Sequence, residues 1–449
     1  MAQFTSQQRA ALTSAARHNL VNAISKTGKT QLLIRLYLDW QEQPGEFKAI
    51  FLTSNGFSTQ RITDQLHRIT KQDWTGQLIG TFAEIGHKLV QKYYADLNYR
   101  RVPKVVPDIA VAEDRQAARL VASKLIGDTP SDQTRQTFID QWNQEFVSRL
   151  HRKDVASPRS LLIDAANLFA KLAHHSLANV HHLAADDVHD FSTEEMTALL
   201  PLQERMEKSY ISGNTNVAIN DRYQDLDIDN WINLINREDF TAHPLSACFN
   251  IGSSHGWFLH QLAAFNSKKL FDISPTFAGD PNIPALFEVL VPSVGYMVDV
   301  IHEMERQLQL GIRNRVMGVV MRTRDEARAM ARTLGKPCCI LWDKTRLYSR
   351  FDLPTKGIVV TTPYDAPFLN LDYVTLPNCM RGYWPHPDVR SAEGCRHLFL
   401  RAVSSARLGT IFLIPDPSNG LLVSQFVSEG CNPQVVTKAA QFKPAGSTG

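Results

Sequence analysis

The segment Gly28-Lys29-Thr30 limits the fold of this chain more than any other feature, because of what stands on either side of it. An apolar run over residues 20–24 predicts a buried strand before it, and leucines at mostly helical spacing predict a helix after it. A second strand is predicted over 49–53 and a second helix over 59–70. Strands that alternate with helices of this length indicate βαβ units and a parallel sheet.

The pattern of apolar residues also divides the chain into domains. The α/β pattern of residues 1–90 gives way over 91–210 to helical periodicity with few strands, and it returns after that. We therefore predict an α/β protein in which 1–90 and 211–270 form a first domain and 91–210 is a helical insertion in it. Residues 271–440 are predicted to form a second α/β domain, followed by a disordered tail over 441–449.

Composition excludes several classes of protein. Apolar residues make up 43% and charged residues 21% of the 449 residues, which is typical of a soluble globular chain. No apolar run approaches the roughly 20 residues of a membrane span, so we expect a cytoplasmic protein with no membrane partner. The six cysteines lack metal-site spacing, and a net charge of +3 neither demands nor excludes nucleic acid.

The Gly28-Lys29-Thr30 segment has the context of a phosphate-binding loop, because it follows a strand and opens a helix. In such a loop Lys29 would reach the phosphates of ATP or ADP and the Thr30 hydroxyl would hold Mg²⁺. The loop departs from the pattern G-x-x-x-x-G-K-T, since Ala23 stands where the first glycine is usual and residues 24–26 are bulkier than glycine. On this pattern, a nucleotide site and a vestigial loop both stay open.

Histidines and aspartates are dense between residues 174 and 190, where Asp186, Asp187, His189 and Asp190 stand close together. Adjacent histidines seldom chelate one ion, and no HExxH motif is present. We therefore do not expect a histidine-ligated metal here.

Further short elements occur in a fixed order along the chain. They are FTSQQR (4–9), FLTSN (51–55), IGTF (79–82), VAINDRYQD (217–225), HGW (255–257), VVMRTRDEARA (319–329), RGYWPH (381–386), LFLRAVSSAR (398–407) and SQF (424–426). In the same order they resemble the UvrD/Rep-type superfamily 1 DNA helicase elements "LNxxQ", "TFTN", "GTF", "LVDEFQD", "YGWRG", "VLVRTNAQARAL", "EGLFPH", "LLYVAVTRAR" and "SRF". The resemblance implies two RecA-like P-loop domains with parallel sheets, the first carrying the helical insertion.

Carried over residue by residue, the resemblance implies a nucleotide site. It also shows which catalytic residues of the family are replaced in this chain. The implied cofactor-binding residues are Gln8, Gly28, Lys29, Thr30, Asp221 and Arg407, with Thr30 and Asp221 as Mg²⁺ ligands. Four catalytic positions carry other residues: Arg222 for the water-activating glutamate, Gly252 for the phosphate-sensing glutamine, Thr276 near the "NYRS" arginine, and Ser405 for the arginine finger. A guanidinium cannot accept a proton, and a missing arginine finger costs about 10³–10⁵ in rate. The resemblance therefore predicts a catalytically degenerate pseudo-helicase.

The same resemblance implies a surface for single-stranded DNA. Its residues are Thr53, Thr81, Phe82, Trp257 and Arg322. Trp257 matches the family's base-stacking tryptophan, and plain core packing is the alternative.

Three functions stay open on the sequence. The first is a helicase-fold subunit, defective in ATP hydrolysis and unwinding, that binds DNA or a protein partner such as a nuclease in repair or antiviral defence. It is favoured because residues 276–361 leave little room for the family's large second insertion, the 2B subdomain. The alternatives are an active ATP-dependent 3′–5′ DNA helicase whose catalytic residues lie elsewhere, and a purely structural interaction module.

Overall fold

The protein consists of two α/β domains, each built on its own parallel sheet. The computed structural model describes residues 4–23, 26–42, 49–126, 132–170, 179–214, 233–234, 236–249, 253–265, 276–277, 286–292, 294–340, 353–384, 389, 392–416 and 423–430. Within these ranges the main sheets have six and five strands, and every pair of neighbouring strands in them is parallel. The predicted α/β class with two RecA-like domains is confirmed. No helix in the described ranges has the length and hydropathy needed to cross a bilayer.

Residues up to 265 supply the first domain, its insertion and one helix of the second domain. In chain order the strands are β1 (His18–Ala23), β2 (Ala49–Leu52), β3 (Ile79–Gly80), β4 (Lys104–Val105), β5 (Val155–Ala156), β6 (His182–Ala185), β7 (Lys208–Gly213), β8 (Phe240–Leu245) and β9 (Ala247–Cys248). The helices are α1 (Ser6–Leu12), α2 (Lys29–Gln41), α3 (Gly56–Thr70), α4 (Phe82–Tyr93), α5 (Ala112–Ile126), α6 (Asp132–Arg152), α7 (Pro158–Ala170), α8 (Thr193–Arg205) and α9 (Ser253–Ala264).

The first sheet has the strand order β3-β2-β6-β7-β1-β8. Strand β1 is buried along its whole length, and successive side chains of a strand point to opposite faces. Leu20 accordingly joins one hydrophobic core and Val21 the other, so the sheet is covered on both sides. Because the strands are parallel, their carboxyl ends lie along one edge, which is where ligands bind in open sheets of this kind.

The insertion is shorter than the sequence pattern predicts. Strand β6 and most of β7 lie inside the first sheet, so the predicted helical segment 91–210 is wrong at its carboxyl end. A buried strand of four residues cannot be told from part of a buried helix by periodicity, which explains the error. Helices α5 and α6 pack on each other over a small core of their own, which contains Val111, Phe146 and Leu150.

The remaining described residues complete the second domain. Its strands are β10 (Thr276–Phe277), β11 (Leu286–Val291), β12 (Val316–Val320), β13 (Gly357–Thr361), β14 (Tyr373–Leu376) and β15 (Gly409–Pro415), and its helices are α10 (Met297–Gln307), α11 (Arg324–Leu334), α12 (Ala392–Ser404) and α13 (Gln425–Gly430). The sheet order is β11-β15-β14-β12-β13, and β10 pairs separately with β9.

Helix α9 belongs to the core of the second domain, although the sequence pattern assigns residues 211–270 to the first. Phe258 and Leu262 lie in the core that also contains Phe412, and the rings of Phe258 and Phe412 are 5.4 Å apart. The boundary of the second domain therefore lies before Ser253. Local periodicity finds the helix but not the sheet on which it packs.

Close packing of α4 on α7 gives the first prediction. A Cβ atom added to Gly86 would lie 2.1 Å from the carbonyl oxygen of Leu161, so we expect Gly86→Ala to lower the free energy of unfolding by about 1–3 kcal/mol. Gly76→Ala is the matched control, because no atom lies within 4 Å of its added Cβ. Urea unfolding measures both variants, and equal stability of the two would contradict the packing described here.

Candidate functional site

A cleft of about 580 Å³ lies between the two domains, at the carboxyl edge of the first sheet. The first domain lines it with the loop after β1, the residues after β6 and Asn214 after β7. The second domain contributes Phe368 and the end of α12 with Ser405. The size and position suit a nucleotide-sized ligand.

The loop between β1 and α2 has the backbone of a phosphate cradle. Gly28 caps α2 with φ of 81°, in the left-handed region that favours glycine. A Cβ there would also lie 2.8 Å from Nε2 of Gln8. Helix α2 begins at Lys29, so its first backbone N–H groups face the cleft, where they can bind an anion.

One carboxylate joins this loop to the strands beside it. The hydroxyl of Thr30 donates to Oδ2 of Asp186 at 2.6 Å, and the hydroxyl of Ser212 donates to Oδ1 at 2.6 Å. Burial raises the pKa of Asp186 to about 6, and the adjacent carboxylate of Asp187 adds to the rise. A hydroxyl and a buried carboxylate are hard oxygen donors, so Thr30 and Asp186 fit a Mg²⁺ ion.

The residues that follow Asp186 also face the cleft. Asp187 is partly exposed and lines it, with a left-handed backbone at φ of 52°. His189 lines it too, and its Nδ1 accepts the backbone N–H of Asn214 at 3.2 Å. Burial lowers the pKa of His189, and the nearby carboxylates of Asp190 and Asp187 offset part of this fall.

The predicted Mg²⁺ ligand Asp221 lies outside the described residues, as do Arg222 and Gly252. In the described part of the chain, the carboxylate on Thr30 is Asp186. The sequence does carry a signal for it, a short strand with apolar residues at 183–185 that is followed directly by two acids. Sequence reasoning places these acids only in a histidine and aspartate cluster.

The aromatic rings of Phe4 and Phe249 also line the cleft, together with the amide of Gln8. Gln8 donates from Nε2 to the carbonyl of Thr27 at 3.0 Å, while its Oε1 accepts the N–H of Thr5 in a capping box. Phe249 is held against the loop by its own N–H, which donates to the carbonyl of Lys26 at 2.8 Å. An aromatic face beside a buried amide suits a stacked base, and sequence reasoning missed Phe249.

The second domain meets this site through α12. Arg401 donates to both carboxylate oxygens of Asp190 at 2.7 Å, and the two side chains are 3% and 2% exposed. Ser405 donates its hydroxyl to the carbonyl of Arg401 at 2.7 Å. The carbonyl of Ser405 accepts from Nζ of Lys26 at 3.4 Å, so the phosphate loop touches the second domain directly.

Two further predicted positions are described by their own pairings. Arg407, predicted to bind the nucleotide, is half exposed, pairs with Asp372 at 3.8 Å and does not line the cleft. Thr276 lies on β10, which pairs with β9.

The side chains predicted to contact DNA differ in their exposure to solvent. Thr53 and Phe82 are each 1% exposed, and Phe82 lies in the core of the first domain, so neither side chain is available to stack on or touch a strand. Thr81 caps α4 through a capping box with Glu84. Trp257 is 41% exposed, on the face of α9 opposite its buried residues, and remains a candidate.

Arg322, the fifth predicted DNA contact, is held by its own domain. Its guanidinium donates to Glu326 at 2.6 and 2.8 Å and lies 4.1 Å from the ring centroid of Tyr383. A DNA phosphate would therefore have to compete with these partners.

Comparison with known proteins places the chain in a family. The UvrD/REP helicase N-terminal domain matches residues 4–237, more than half of the chain. The chain belongs to the UvrD/REP helicase family. The matched residues of this UvrD/REP-family chain include both the phosphate loop and the acidic pair after β6.

Other comparisons add little. No curated protein matches the sequence. Among solved structures, the C-terminal domain of a possible DNA helicase from Lactobacillus plantarum WCFS1 matches with 16% identity over 40% of this chain and 92% of that chain, at a TM-score of 0.25. At that score the similarity carries no argument.

The buried pair of Arg401 and Asp190 gives the second prediction. Arg401→Leu leaves a carboxylate buried without its partner, so we expect a loss of about 3–5 kcal/mol in the free energy of unfolding. Arg306→Leu is the control, since its pair with Glu303 is exposed and should contribute nothing measurable. The measurement is urea unfolding followed at several wavelengths, and a small effect for Arg401→Leu would show that water reaches the interface.

Proposed function

We propose that this UvrD/REP-family protein binds ATP with Mg²⁺ in the cleft between its domains and hydrolyses it, with single-stranded DNA as its second ligand. The observation that carries the proposal is the hydrogen bond from Thr30 to Asp186, at 2.6 Å. It brings a P-loop hydroxyl and a strand-end carboxylate together, which is the arrangement that holds Mg²⁺ in P-loop NTPases.

The cleft offers a group for each part of the nucleotide. Phe249 and Gln8 would receive the base, and Lys29 with the N-terminus of α2 would receive the phosphates. Thr30 and Asp186 would hold Mg²⁺, which neutralises charge on the phosphates when bound.

Asp187 is the proposed general base. It is the carboxylate next to Asp186, it is partly exposed, and it lines the cleft. In the reaction, the oxygen of a water molecule attacks the γ-phosphorus, its proton passes to Asp187, and the bond from that phosphorus to the bridging oxygen breaks, leaving ADP and phosphate. His189 lines the same cleft and is fixed by the backbone N–H of Asn214, so it would help to orient this water.

A carboxylate in the cleft answers one of the grounds for an inactive protein. The prediction of a pseudo-helicase rests on the base and the arginines together, and Asp187 supplies a carboxylate where Arg222 cannot act as the base. A second candidate function still has support, because the uncharged residues Thr276 and Ser405 stand where the family resemblance expects arginines. In that case the protein binds nucleotide without turnover and acts as a subunit beside a protein partner, such as a nuclease in repair or antiviral defence.

The choice of Mg²⁺ ligand gives the third prediction. We expect Asp186→Asn to abolish the Mg²⁺-dependent part of ATP affinity, while Asp221→Asn leaves it intact, because Thr30 contacts Asp186. Titration calorimetry with ATP, with and without Mg²⁺, measures both variants. If Asp221→Asn, and not Asp186→Asn, abolishes the Mg²⁺-dependent affinity, Asp221 is the ligand. Arg222 would then occupy the position of the base.

The role of Asp187 gives the fourth prediction. Asp187→Asn should keep ATP affinity within a few fold and lower DNA-stimulated turnover by about 10²–10⁴, the usual contribution of a general base. Phosphate release with single-stranded DNA present is the measurement. Turnover of the unaltered protein at the background rate would instead favour the second candidate, the nucleotide-binding subunit.

DNA binding gives the fifth prediction. We expect Trp257→Ala to weaken single-strand binding by about 1–3 kcal/mol, as loss of one base stack does. Tyr296→Ala is the control, as an exposed aromatic of the second domain outside the predicted contacts. Fluorescence anisotropy over a range of salt measures both, and affinity should fall steeply with salt where phosphates are contacted. Equal losses for the two variants would count against a stacking role for Trp257.

A further inference from the structure

Lys26 occupies an unusual place in the phosphate loop. Its backbone has φ of 64°, in the left-handed region where a residue with a Cβ is strained. Lys71 shows the same conformation at the end of α3, but it is an exposed helix cap. Backbone strain of this kind is concentrated at ligand-binding and catalytic sites. The strained backbone of Lys26 therefore points to a function for its ammonium group.

The side chain of Lys26 points across the cleft towards the second domain. Its Nζ lies 3.4 Å from the backbone carbonyl of Ser405, and both residues line the cleft together with Lys29. Ser405 is the position at which the family resemblance expects the arginine finger. A positive charge therefore stands beside this position, although it comes from the other domain.

The surroundings of Lys26 favour an anionic ligand. Its hydrogen-bond partner is a neutral carbonyl rather than a carboxylate. Burial is the largest cause that lowers its pKa to about 8, and the charges of Arg61, Arg407 and Lys29 add to the fall. A phosphate in the cleft would relieve this repulsion.

The arginines near the cleft are less suited to the task. Arg401 is committed to Asp190 by two hydrogen bonds, and Arg407 pairs with Asp372 outside the cleft lining. Arg61 lines the cleft from the exposed side of α3 and is a rival source of positive charge there.

We propose that Lys26 binds the terminal phosphate of ATP and supplies, from the phosphate loop, the charge that an arginine at position 405 would otherwise supply. On ATP binding its ammonium exchanges the carbonyl of Ser405 for a phosphate oxygen, which makes the contact between the two domains sensitive to the γ-phosphate. This inference rests on the proposed function, since it requires ATP in the cleft.

The test is the ratio of ATP to ADP affinity, because a ligand of the γ-phosphate distinguishes the two nucleotides. Lys26→Gly removes the ammonium and suits the left-handed backbone, so the variant should fold. We expect its affinity for ATP to fall about 10–100-fold, as for one charge-assisted hydrogen bond, while affinity for ADP changes little. Titration calorimetry with Mg²⁺ present measures both nucleotides.

Two controls accompany this variant. Lys71→Gly makes the same replacement in the same backbone conformation away from the cleft, and it should change neither affinity. Lys26→Arg keeps the charge and should keep most of the preference for ATP. DNA-stimulated turnover of Lys26→Gly should also fall, by about 10³–10⁵ if the charge acts as an arginine finger does.

The outcomes separate this inference from the proposed function. If the unaltered protein binds neither nucleotide, both fail. If it binds ATP in preference to ADP and Lys26→Gly keeps that preference, the role of Lys26 is overturned while nucleotide binding stands. If Arg61→Gln, rather than Lys26→Gly, removes the preference, the charge comes from α3 and the inference is likewise overturned.

Discussion

The hydrogen bonds to Asp186 are the constraint on which the site depends. Thr30 and Ser212 hold the two oxygens of this buried carboxylate, each at 2.6 Å. They tie the start of α2 to the ends of β6 and β7, so the phosphate loop, Asp187 and His189 all face one cleft. Burying a carboxylate is costly, and the raised pKa of Asp186 expresses that cost. Mg²⁺ would relieve it, which is why geometry and electrostatics indicate the same ligand.

The second domain closes the cleft through a few polar contacts with the first. Arg401 reaches Asp190, and Ser405 accepts a hydrogen bond from Lys26. An apolar contact accompanies them, since the rings of Phe57 and Phe368 are 5.9 Å apart. Asp190 lies four residues after Asp186, so the segment that would hold the metal also anchors the neighbouring domain. A ligand between the domains can therefore alter their contact.

The site combines retained and altered chemistry. Lys29, Thr30 and two adjacent carboxylates remain, whereas arginine is absent from positions 276 and 405. The loss of one arginine need not remove the charge, because a lysine in the facing loop lies beside the vacated position. Whether such a protein turns over ATP depends on where the cations stand in space, not on which motif carries them.

The sequence by itself determined the α/β class, the strand and helix on either side of Gly28, and the family, because strands, helices and ordered motifs are local patterns. Only the tertiary structure decided which acid meets Thr30, since Asp186 is 156 residues away in the chain. It likewise decided that Phe82 is core while Trp257 is exposed. The physical reason is that pairing and burial depend on which strands become neighbours in the sheet. The three apolar residues of β6 do not by themselves specify those neighbours.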